Sequence, residues 1–248
     1  MSPARESKRP VRDLSLSVFF PCYNEAANIG ALVEKTISVL ADLVADWEII
    51  VVDDGSSDGT AGIVEALSAT EPRIRVVRHG RNRGYGAALR SGFAAARKDY
   101  VFYTDGDGQF DMGEIPRILP LLARYDIVSC YRLDRKDSLM RKLNALAWTT
   151  LVNMLFRIGL RDIDGAFKFY PKPFIDSIEM HSTGALIDTE MLAKARNMGL
   201  KIGQTGVHHY PRLAGEQSGA NIRVILRAFK ELFKLRRRIK NEGRQSEA

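Results

Sequence analysis

The stretch that decides the fold is Tyr100-Val-Phe-Tyr-Thr-Asp-Gly-Asp-Gly-Gln109, an apolar and aromatic run that stops at two carboxylates and an amide. The run predicts a buried β-strand. Residues two apart on an extended backbone share a face, so Asp105, Asp107 and Gln109 can direct their oxygens at one point. Oxygen donors suit Mg²⁺ or Mn²⁺, and so few protein ligands leave positions open for phosphate oxygens. The segment therefore predicts a metal site that handles a phosphorylated substrate.

Strand-like and helix-like patterns alternate before this stretch. Strands are predicted at Leu14–Phe20, Trp47–Asp53, Ile74–Arg78 and Tyr100–Thr104, with helices at Asn28–Leu43, Thr60–Ala69 and Gly86–Ala96. This alternation predicts an α/β fold with a mostly parallel central sheet flanked by helices. In such sheets ligands bind beyond the carboxyl ends of the strands.

Polar residues follow three of these strands. Pro21, Tyr23 and Glu25 follow the first, Asp53 and Asp54 end the second, and the acidic cluster follows the fourth. A turn with a helix cap would by itself explain the segment around Asp54. Polar chemistry at all three ends favours a single ligand crevice instead.

A glycine-rich segment, His79 to Gly86, lies between a predicted strand and a predicted helix. Glycines let a backbone approach a diphosphate closely, and Arg81 or Arg83 is available to pair with it. The spacing fits neither a P-loop nor a dinucleotide fingerprint.

Length and composition limit the class of protein. The 248 residues suffice for one large domain, and no stretch approaches the roughly 18 apolar residues of a spanning helix. Two cysteines suit neither a disulfide framework nor a zinc cluster. The formal charge of +7 predicts an anionic partner. Residues 1–12 are basic with no apolar run behind them, which predicts a disordered tail and not a signal peptide.

Four motifs, in this order, resemble those of family-2 glycosyltransferases with the GT-A fold. They are Pro21-Cys-Tyr-Asn-Glu25, Val51-Val-Asp-Asp-Gly-Ser56, Asn82-Arg-Gly-Tyr-Gly86 and Asp105-Gly-Asp-Gly-Gln109. The chain is most similar to the branch of polyprenyl-phosphate sugar synthases that includes dolichyl-phosphate mannose synthase. The resemblance implies a GT-A catalytic domain at residues 13–220, followed by an amphipathic helix and tail at 221–248.

The resemblance also implies a nucleotide-sugar donor. Pro21, Tyr23, Glu25 and Asp53 fall where the family holds the base and ribose, and Asp105, Asp107 and Gln109 where it holds the diphosphate through Mg²⁺ or Mn²⁺. The predicted nucleotide-binding residues are Pro21, Tyr23, Glu25, Asp53, Asp54, Arg83 and Asp105. Asp107 is predicted to be catalytic as well as a metal ligand.

For the acceptor, Arg132 falls where the branch has an arginine that meets a phosphate. The segment Arg161-Asp-Ile-Asp-Gly-Ala-Phe-Lys168 resembles one near the acceptor site. Arg212 matches a loop arginine whose companion lysine this chain lacks, and Arg223 is hypothesised to replace that lysine. The predicted acceptor residues are Arg132, Arg141, Lys168 and Arg212, with Arg132 also catalytic.

The implied reaction is an inverting transfer of a monosaccharide from a nucleotide sugar to polyprenyl phosphate. A phosphate is already anionic at neutral pH, so the chemistry needs cations near both anions more than a strong base. A family-2 transferase acting on a hydroxyl of a lipid, metabolite or glycan stays as the alternative, with Asp188 or Glu190 as base. Nucleic acid is not a predicted partner, because the basic C-terminal region lacks interleaved surface aromatics.

A polyprenyl acceptor lies in a bilayer, and two helical patterns are suited to meet it. Asn221–Lys240 carries an apolar stripe flanked by lysines and arginines, which predicts a basic amphipathic helix. Ser138–Gly159 is the second pattern, and both also fit packing against the core. We predict a cytoplasmic enzyme held peripherally at an anionic membrane surface; a membrane-protein partner stays open.

Overall fold

The computed structural model describes residues 10–133, 139–182, 184, 186–211 and 231–242. These residues form a seven-stranded sheet of order β3-β2-β1-β4-β6-β5-β7, and β6 runs antiparallel to both of its neighbours. The predicted α/β fold with a mostly parallel sheet is confirmed. The strands are β1 (Ser15–Cys22), β2 (Asp46–Asp53), β3 (Ile74–Arg78), β4 (Tyr100–Thr104), β5 (Ile127–Leu133), β6 (Phe167–Pro171) and β7 (Ile202–His208).

Helices flank this sheet, and the three helices predicted in the first half begin and end within two residues of those observed. They are α1 (Ala26–Leu43), α2 (Thr60–Thr70), α3 (Tyr85–Ala95), α4 (Ile115–Ile118), α5 (Leu139–Phe156), α6 (Lys172–Ser177) and α7 (Leu186–Asn197). Short 3₁₀ turns lie at Val11–Asp13, Met112–Glu114 and Leu119–Ala123. Residues 231–242 are also helical and are called the C-terminal helix below.

An aromatic cluster between the sheet and α3 forms the centre of the core. The ring centroid of Phe19 lies 4.9 Å from that of Phe93 and 5.4 Å from that of Tyr103, and all three are buried. A β-carbon on Gly92 would come within 2.3 Å of the Phe19 ring. Only a glycine therefore lets α3 pack this closely against β1. The close packing places Tyr85, the first residue of α3, near the carboxyl ends of the strands.

Strand register brings the polar strand ends to one edge. Cys22 at the end of β1 pairs with Asp53 at the end of β2, and Asp53 pairs in turn with Arg78 at the end of β3. On the other side of β1, Phe19 pairs with Tyr103 of β4. The residues after β1, β2 and β4 therefore meet at the same edge of the sheet.

The two predicted terminal segments are described only in part. Residues 1–9 lie outside the described residues, while the 3₁₀ turn at Val11–Asp13 is fixed by a hydrogen bond from the Ala45 amide to the Arg12 carbonyl, 3.1 Å long. Residues 221–230 and 243–248 also lie outside the described residues. In the C-terminal helix, three apolar side chains are buried in the core: Leu232, Leu235 and Ile239.

None of the helices in the described residues combines the length and the apolar character that crossing a membrane requires. Helix α5 nevertheless has large apolar side chains in contact with solvent. Leu143, Leu146 and Met154 are each at least 60% exposed, whereas Val152 is buried. The predicted amphipathic helix in this region is therefore present with an uncovered apolar face.

Candidate active site

The acidic cluster lies in the turn that follows β4. Asp105 and Asp107 are both partly buried, and the Tyr85 hydroxyl donates to Asp105 Oδ1 over 3.0 Å. Asp107 Oδ1 accepts from the Gln109 amide nitrogen of the main chain over 3.1 Å. A β-carbon on Gly106 would lie 2.3 Å from Cys22 Sγ, so the turn presses against the end of β1. Close packing therefore requires a glycine at position 106, between the two acids.

The negative charge of Asp107 acts on the carboxylate of Asp105. Burial and then the neighbouring charge of Asp107 raise the pKa of Asp105 to about 7. A divalent cation between the carboxylates would remove this repulsion. The donor set of two carboxylates and an amide oxygen suits a hard cation such as Mg²⁺ or Mn²⁺, so the residues present fit the predicted metal.

Gln109 is held by Tyr210, which follows β7, a contact that the sequence did not predict. Its side-chain nitrogen donates to the Tyr210 carbonyl over 2.8 Å, and the Tyr210 amide donates to the Gln109 carbonyl over 2.8 Å. Beside them, Phe110 and His209 form an antiparallel bridge. These contacts orient the side-chain amide of Gln109, whose oxygen can then act as an acceptor.

The loops after β1 and β2 are cross-linked by hydrogen bonds. The Asn24 amide donates to Ser56 Oγ and the Ser57 amide donates to Asn24 Oδ1, both over 2.9 Å. Pro21 and Glu25 are buried beneath these loops, while Tyr23 is 49% exposed at their rim. The predicted base and ribose residues therefore lie at the same edge of the sheet, with Tyr23 exposed and Pro21, Glu25 and Asp53 buried.

A cavity of about 590 Å³ opens beside this surface. Its lining includes Asp53 at the end of β2, Ser56, and His79 at the end of β3. Asp53 is 4% exposed, and its Oδ1 accepts from the Ser56 amide over 3.1 Å. Of the predicted base and ribose residues, Asp53 lines this cavity, whereas Pro21, Tyr23 and Glu25 do not.

Asp54 faces the glycine-rich loop and not this cavity. Its Oδ1 accepts from the Arg83 amide over 2.9 Å, and its Oδ2 accepts from the Gly84 amide over 2.8 Å. The ring of His79 lies 2.5 Å from the same Oδ1. The Arg83 side chain is exposed at the tip of the loop. Asp54, which was predicted to bind nucleotide, thus contacts the loop that carries Arg83.

Arg132, at the end of β5, is held by a bidentate ion pair. Its Nε donates to Asp162 Oδ2 over 2.7 Å and its Nη2 donates to Asp162 Oδ1 over 3.0 Å. Burial acts to raise the pKa of Asp162, but the Arg132 hydrogen bond and charge outweigh it, and the pKa is lowered. Among the described residues no hydrogen-bond partner is found for Nη1 of the guanidinium, which can therefore face another anion.

Lys168 is more deeply buried than a residue that binds an acceptor at the protein surface would be. It is 0% exposed, and its ammonium donates to Asp188 Oδ1 over 2.7 Å and to the Gly165 carbonyl over 2.6 Å. The Tyr103 hydroxyl also donates to Asp188. The sequence could not indicate this pairing, because the two residues are twenty positions apart.

Asp164 lies beside these pairs. Burial, then the charges of Asp188 and Asp162, raise its pKa to about 6. Only the backbone of Arg141, in α5, is described, and Arg212 lies outside the described residues. The structure therefore brings the donor residues together at one edge and places Arg132 and Lys168 on the neighbouring strands β5 and β6.

Comparison with known sequences agrees with this arrangement. Residues 17–178, more than half of the chain, match the sequence model of Glycosyl transferase family 2. The chain belongs to glycosyl transferase family 2. The family assignment confirms the resemblance drawn from the four motifs.

Two curated proteins are similar to the chain. A dodecaprenyl-phosphate galacturonate synthase of Rhizobium johnstonii is 30% identical over 247 residues, covering 95% of this chain and 72% of that protein. An undecaprenyl-phosphate 4-deoxy-4-formamido-L-arabinose transferase of Pectobacterium carotovorum is 40% identical over 145 residues, covering 58% of this chain. The match spans only 43% of the length of that second relative.

Two solved structures share the fold. Mannosyl-3-phosphoglycerate synthase from Rubrobacter xylanophilus aligns with a TM-score of 0.70 at 21% identity, covering 93% of this chain and 75% of that one. Glucosyl-3-phosphoglycerate synthase from Mycobacterium tuberculosis, crystallised with Mn²⁺, UDP-glucose and phosphoglyceric acid, gives 0.69 at 20% identity, covering 91% and 79%. These likenesses confirm the predicted GT-A fold.

Proposed function

We propose that this chain is an inverting, metal-dependent transferase that moves a monosaccharide from a nucleotide sugar to a polyprenyl phosphate. One observation carries the proposal. Asp105 and Asp107, two carboxylates that repel each other, lie at the edge of the sheet where the carboxyl ends of the strands and the predicted base and ribose residues meet. The names of the two curated relatives support a polyprenyl-phosphate acceptor, and the Mn²⁺ and UDP-glucose in a structural neighbour support the metal and the donor.

Donor binding divides between two groups of residues. Pro21, Tyr23, Glu25 and Asp53 provide the surface for the base and ribose. Asp105, Asp107 and the Gln109 amide hold the cation, which when bound neutralises the diphosphate of the donor and stabilises it as a leaving group. Arg83, exposed on the glycine-rich loop, adds a positive charge to the same diphosphate.

The transfer itself needs few further groups. An oxygen of the acceptor phosphate attacks the anomeric carbon from the face opposite the diphosphate. The new carbon–oxygen bond forms as the bond to the diphosphate breaks, and the bonding pair leaves with the diphosphate oxygen. A single displacement of this kind inverts the anomeric centre. Because the attacking phosphate is already ionised, no side chain has to remove a proton.

The acceptor phosphate must be held close to a second anion. Arg132 is suited to this, because Asp162 fixes its plane through two hydrogen bonds and leaves Nη1 available. Lys168 contributes from within the fold: it neutralises Asp188 and holds the Gly165 carbonyl, so we assign it a positioning role. Arg141 and Arg212 remain proposed acceptor contacts.

Membrane contact is proposed for α5. Its exposed Leu143, Leu146 and Met154 can enter the interface of a bilayer that contains the acceptor. The C-terminal helix contributes differently, because Leu232, Leu235 and Ile239 pack into the core. Its exposed residues include Lys234, Arg236, Arg237 and Arg238, which can attract anionic lipid headgroups. We therefore propose a peripheral membrane enzyme.

A hydroxyl acceptor is the second candidate, and one residue favours it. Deprotonation of a hydroxyl needs a base whose pKa lies near neutrality, and the pKa of Asp164 is raised to about 6. The experiment that separates the two candidates is incubation of the protein and Mn²⁺ with nucleotide sugars and either a polyprenyl phosphate or the corresponding polyprenol. The proposal expects glycosylated product from the phosphate alone, and product from the polyprenol alone would refute it.

A further inference from the structure

The glycine-rich loop at residues 80–84 is seated on a single buried carboxylate. Asp54 is 3% exposed, and its two oxygens accept from the amides of Arg83 and Gly84. The neighbouring Gly55 has a φ of +78°, and a β-carbon there would lie 2.5 Å from the Arg81 carbonyl carbon. The loop backbone therefore lies directly against the turn that follows β2.

His79 completes this arrangement from the end of β3. It is 7% exposed, with Nδ1 at 2.5 Å from Asp54 Oδ1 and Nε2 at 2.8 Å from Ser91 Oγ in α3. Its main-chain amide donates to the Asp53 carbonyl over 2.9 Å. A proton on Nδ1 makes the contact with Asp54 a hydrogen bond, while Nε2 faces the Ser91 hydroxyl. The carboxylate thus receives three N–H donors, which fix its orientation.

The residues whose amides bond Asp54 lie beside the proposed donor site. Arg83 carries the exposed guanidinium of the loop, and Gly84 immediately precedes Tyr85, whose hydroxyl donates to Asp105 Oδ1. A rotation of the Asp54 carboxylate would release both loop amides. Arg83 would then lose its fixed position relative to the acidic cluster.

We propose that His79 is a positioning residue for the nucleotide-sugar donor. Through Asp54 it fixes the backbone of Arg83 and Gly84, and so sets where the Arg83 guanidinium meets the donor diphosphate. The role rests on the proposed function, because it assumes that the diphosphate lies between the loop and the acidic cluster.

Two near-isosteric substitutions separate the two hydrogen bonds of the ring. The side-chain amide of His79→Asn can replace the Nδ1–H that faces Asp54, whereas the longer His79→Gln reaches the position of Nε2 and loses the contact with Asp54. Calorimetry with UDP and with GDP in Mn²⁺ measures affinity, and thermal unfolding reports stability. Residues that orient a binding group typically contribute about 10- to 100-fold. We expect His79→Gln to weaken the bound nucleotide about tenfold and His79→Asn to stay within about threefold of the wild type.

Two controls distinguish positioning from general damage. Ser91→Ala removes only the outer hydrogen bond and should leave the dissociation constant within about threefold of the wild type, since Asp54 keeps its donor. In an Arg83→Gln background, His79→Gln should have no further effect on the dissociation constant, because it acts through Arg83. This double-mutant comparison remains informative if His79→Gln lowers the melting temperature.

The outcomes separate the two proposals. Equal dissociation constants for His79→Asn and His79→Gln, or a full additive loss with Arg83→Gln, would overturn the positioning role alone. A wild-type protein that binds neither UDP nor GDP in Mn²⁺ would overturn the proposed function and the positioning role together.

Discussion

The proposed donor side and the proposed acceptor side of the site handle charge in opposite ways. On the donor side, neither Asp105 nor Asp107 forms an ion pair within the part of the chain that the structure describes, and burial with the charge of Asp107 raises the pKa of Asp105 to about 7. On the acceptor side, Arg132 and Lys168 are already paired with Asp162 and Asp188. The donor side therefore offers ligands for a cation, whereas on the acceptor side the positive charges of Arg132 and Lys168 are already paired with carboxylates.

This difference indicates how two anions can be brought together in one crevice. The cation that the donor diphosphate requires can arrive with the donor, so the protein supplies only ligands for it. The acceptor phosphate has no such companion and depends on a fixed guanidinium. Substitutions on the two sides should therefore fail in different ways.

The largest effect is expected on the donor side. Asp107→Ala removes a carboxylate ligand, and we expect kcat/KM to fall at least about a thousandfold while the melting temperature is maintained or rises. Asp111→Asn is the control, since Asp111 lies four residues away and its side chain accepts from the Gly113 amide. Steady-state kinetics of both variants checks this, and undiminished turnover in Asp107→Ala would refute the metal assignment.

The buried pair on the acceptor side should respond through stability. Lys168→Met leaves Asp188 buried without its cation, and we expect a loss of about 3–5 kcal/mol in the free energy of unfolding. The double variant Lys168→Met with Asp188→Leu should recover most of that loss, because no unpaired charge remains. Urea unfolding measures both, and a single variant as stable as the wild type would contradict the buried pairing.

Arg132 should affect one substrate only. Arg132→Ala removes the proposed phosphate contact, and we expect KM for the acceptor to rise at least about tenfold with KM for the donor nearly unchanged. Arg132→Lys keeps the charge but loses the planar pairing with Asp162, so it should rescue only part of the loss. Equal increases in both KM values would contradict the division of the site into two sides.

The pKa of Asp164 gives a stability prediction with a definite sign. Its pKa is about 6 in the fold, against about 3.9 in an unfolded chain, so ionisation at neutral pH disfavours the folded state. Asp164→Asn should therefore raise the free energy of unfolding by about 1–2 kcal/mol at pH 7.5. At pH 4, where the folded wild type is protonated, the gain should nearly vanish. Urea titrations at the two pH values test this, and an equal gain at both would contradict it.

The smallest effect is expected at the membrane. Leu146→Ser in α5 should weaken partitioning onto anionic vesicles about threefold, since one exposed apolar side chain contributes about 1 kcal/mol or less. Met198→Ser removes a similarly exposed apolar residue outside α5, in the turn after α7, and serves as the control. Vesicle co-sedimentation measures both, and equal losses would show that α5 has no special part in binding.

Much of the donor side could be predicted because its signals are local. An apolar run that ends in acids and glycines fixes where β4 stops and where Asp105 and Asp107 begin, and the same holds for Asp53 at the end of β2. Parallel strands then bring these ends together without further information.

The acceptor side depends on pairings that a single sequence does not display. Nothing local to Arg132 indicates Asp162 as its partner, and Lys168 resembles a surface cation until β6 is placed in the centre of the sheet. The antiparallel direction of β6 was likewise not predicted. The same limit applies to Asp54, whose contact with His79 arises from strand pairing across twenty-five positions.

The central claim is that the acidic cluster after β4 holds a divalent cation together with the diphosphate of the donor. Calorimetric titration of UDP and GDP into the wild-type protein, with Mn²⁺ and with the metal chelated, tests it most directly. The account predicts binding of one of the nucleotides that is strong with Mn²⁺ and at least about tenfold weaker without it. Equal affinity under both conditions would contradict it.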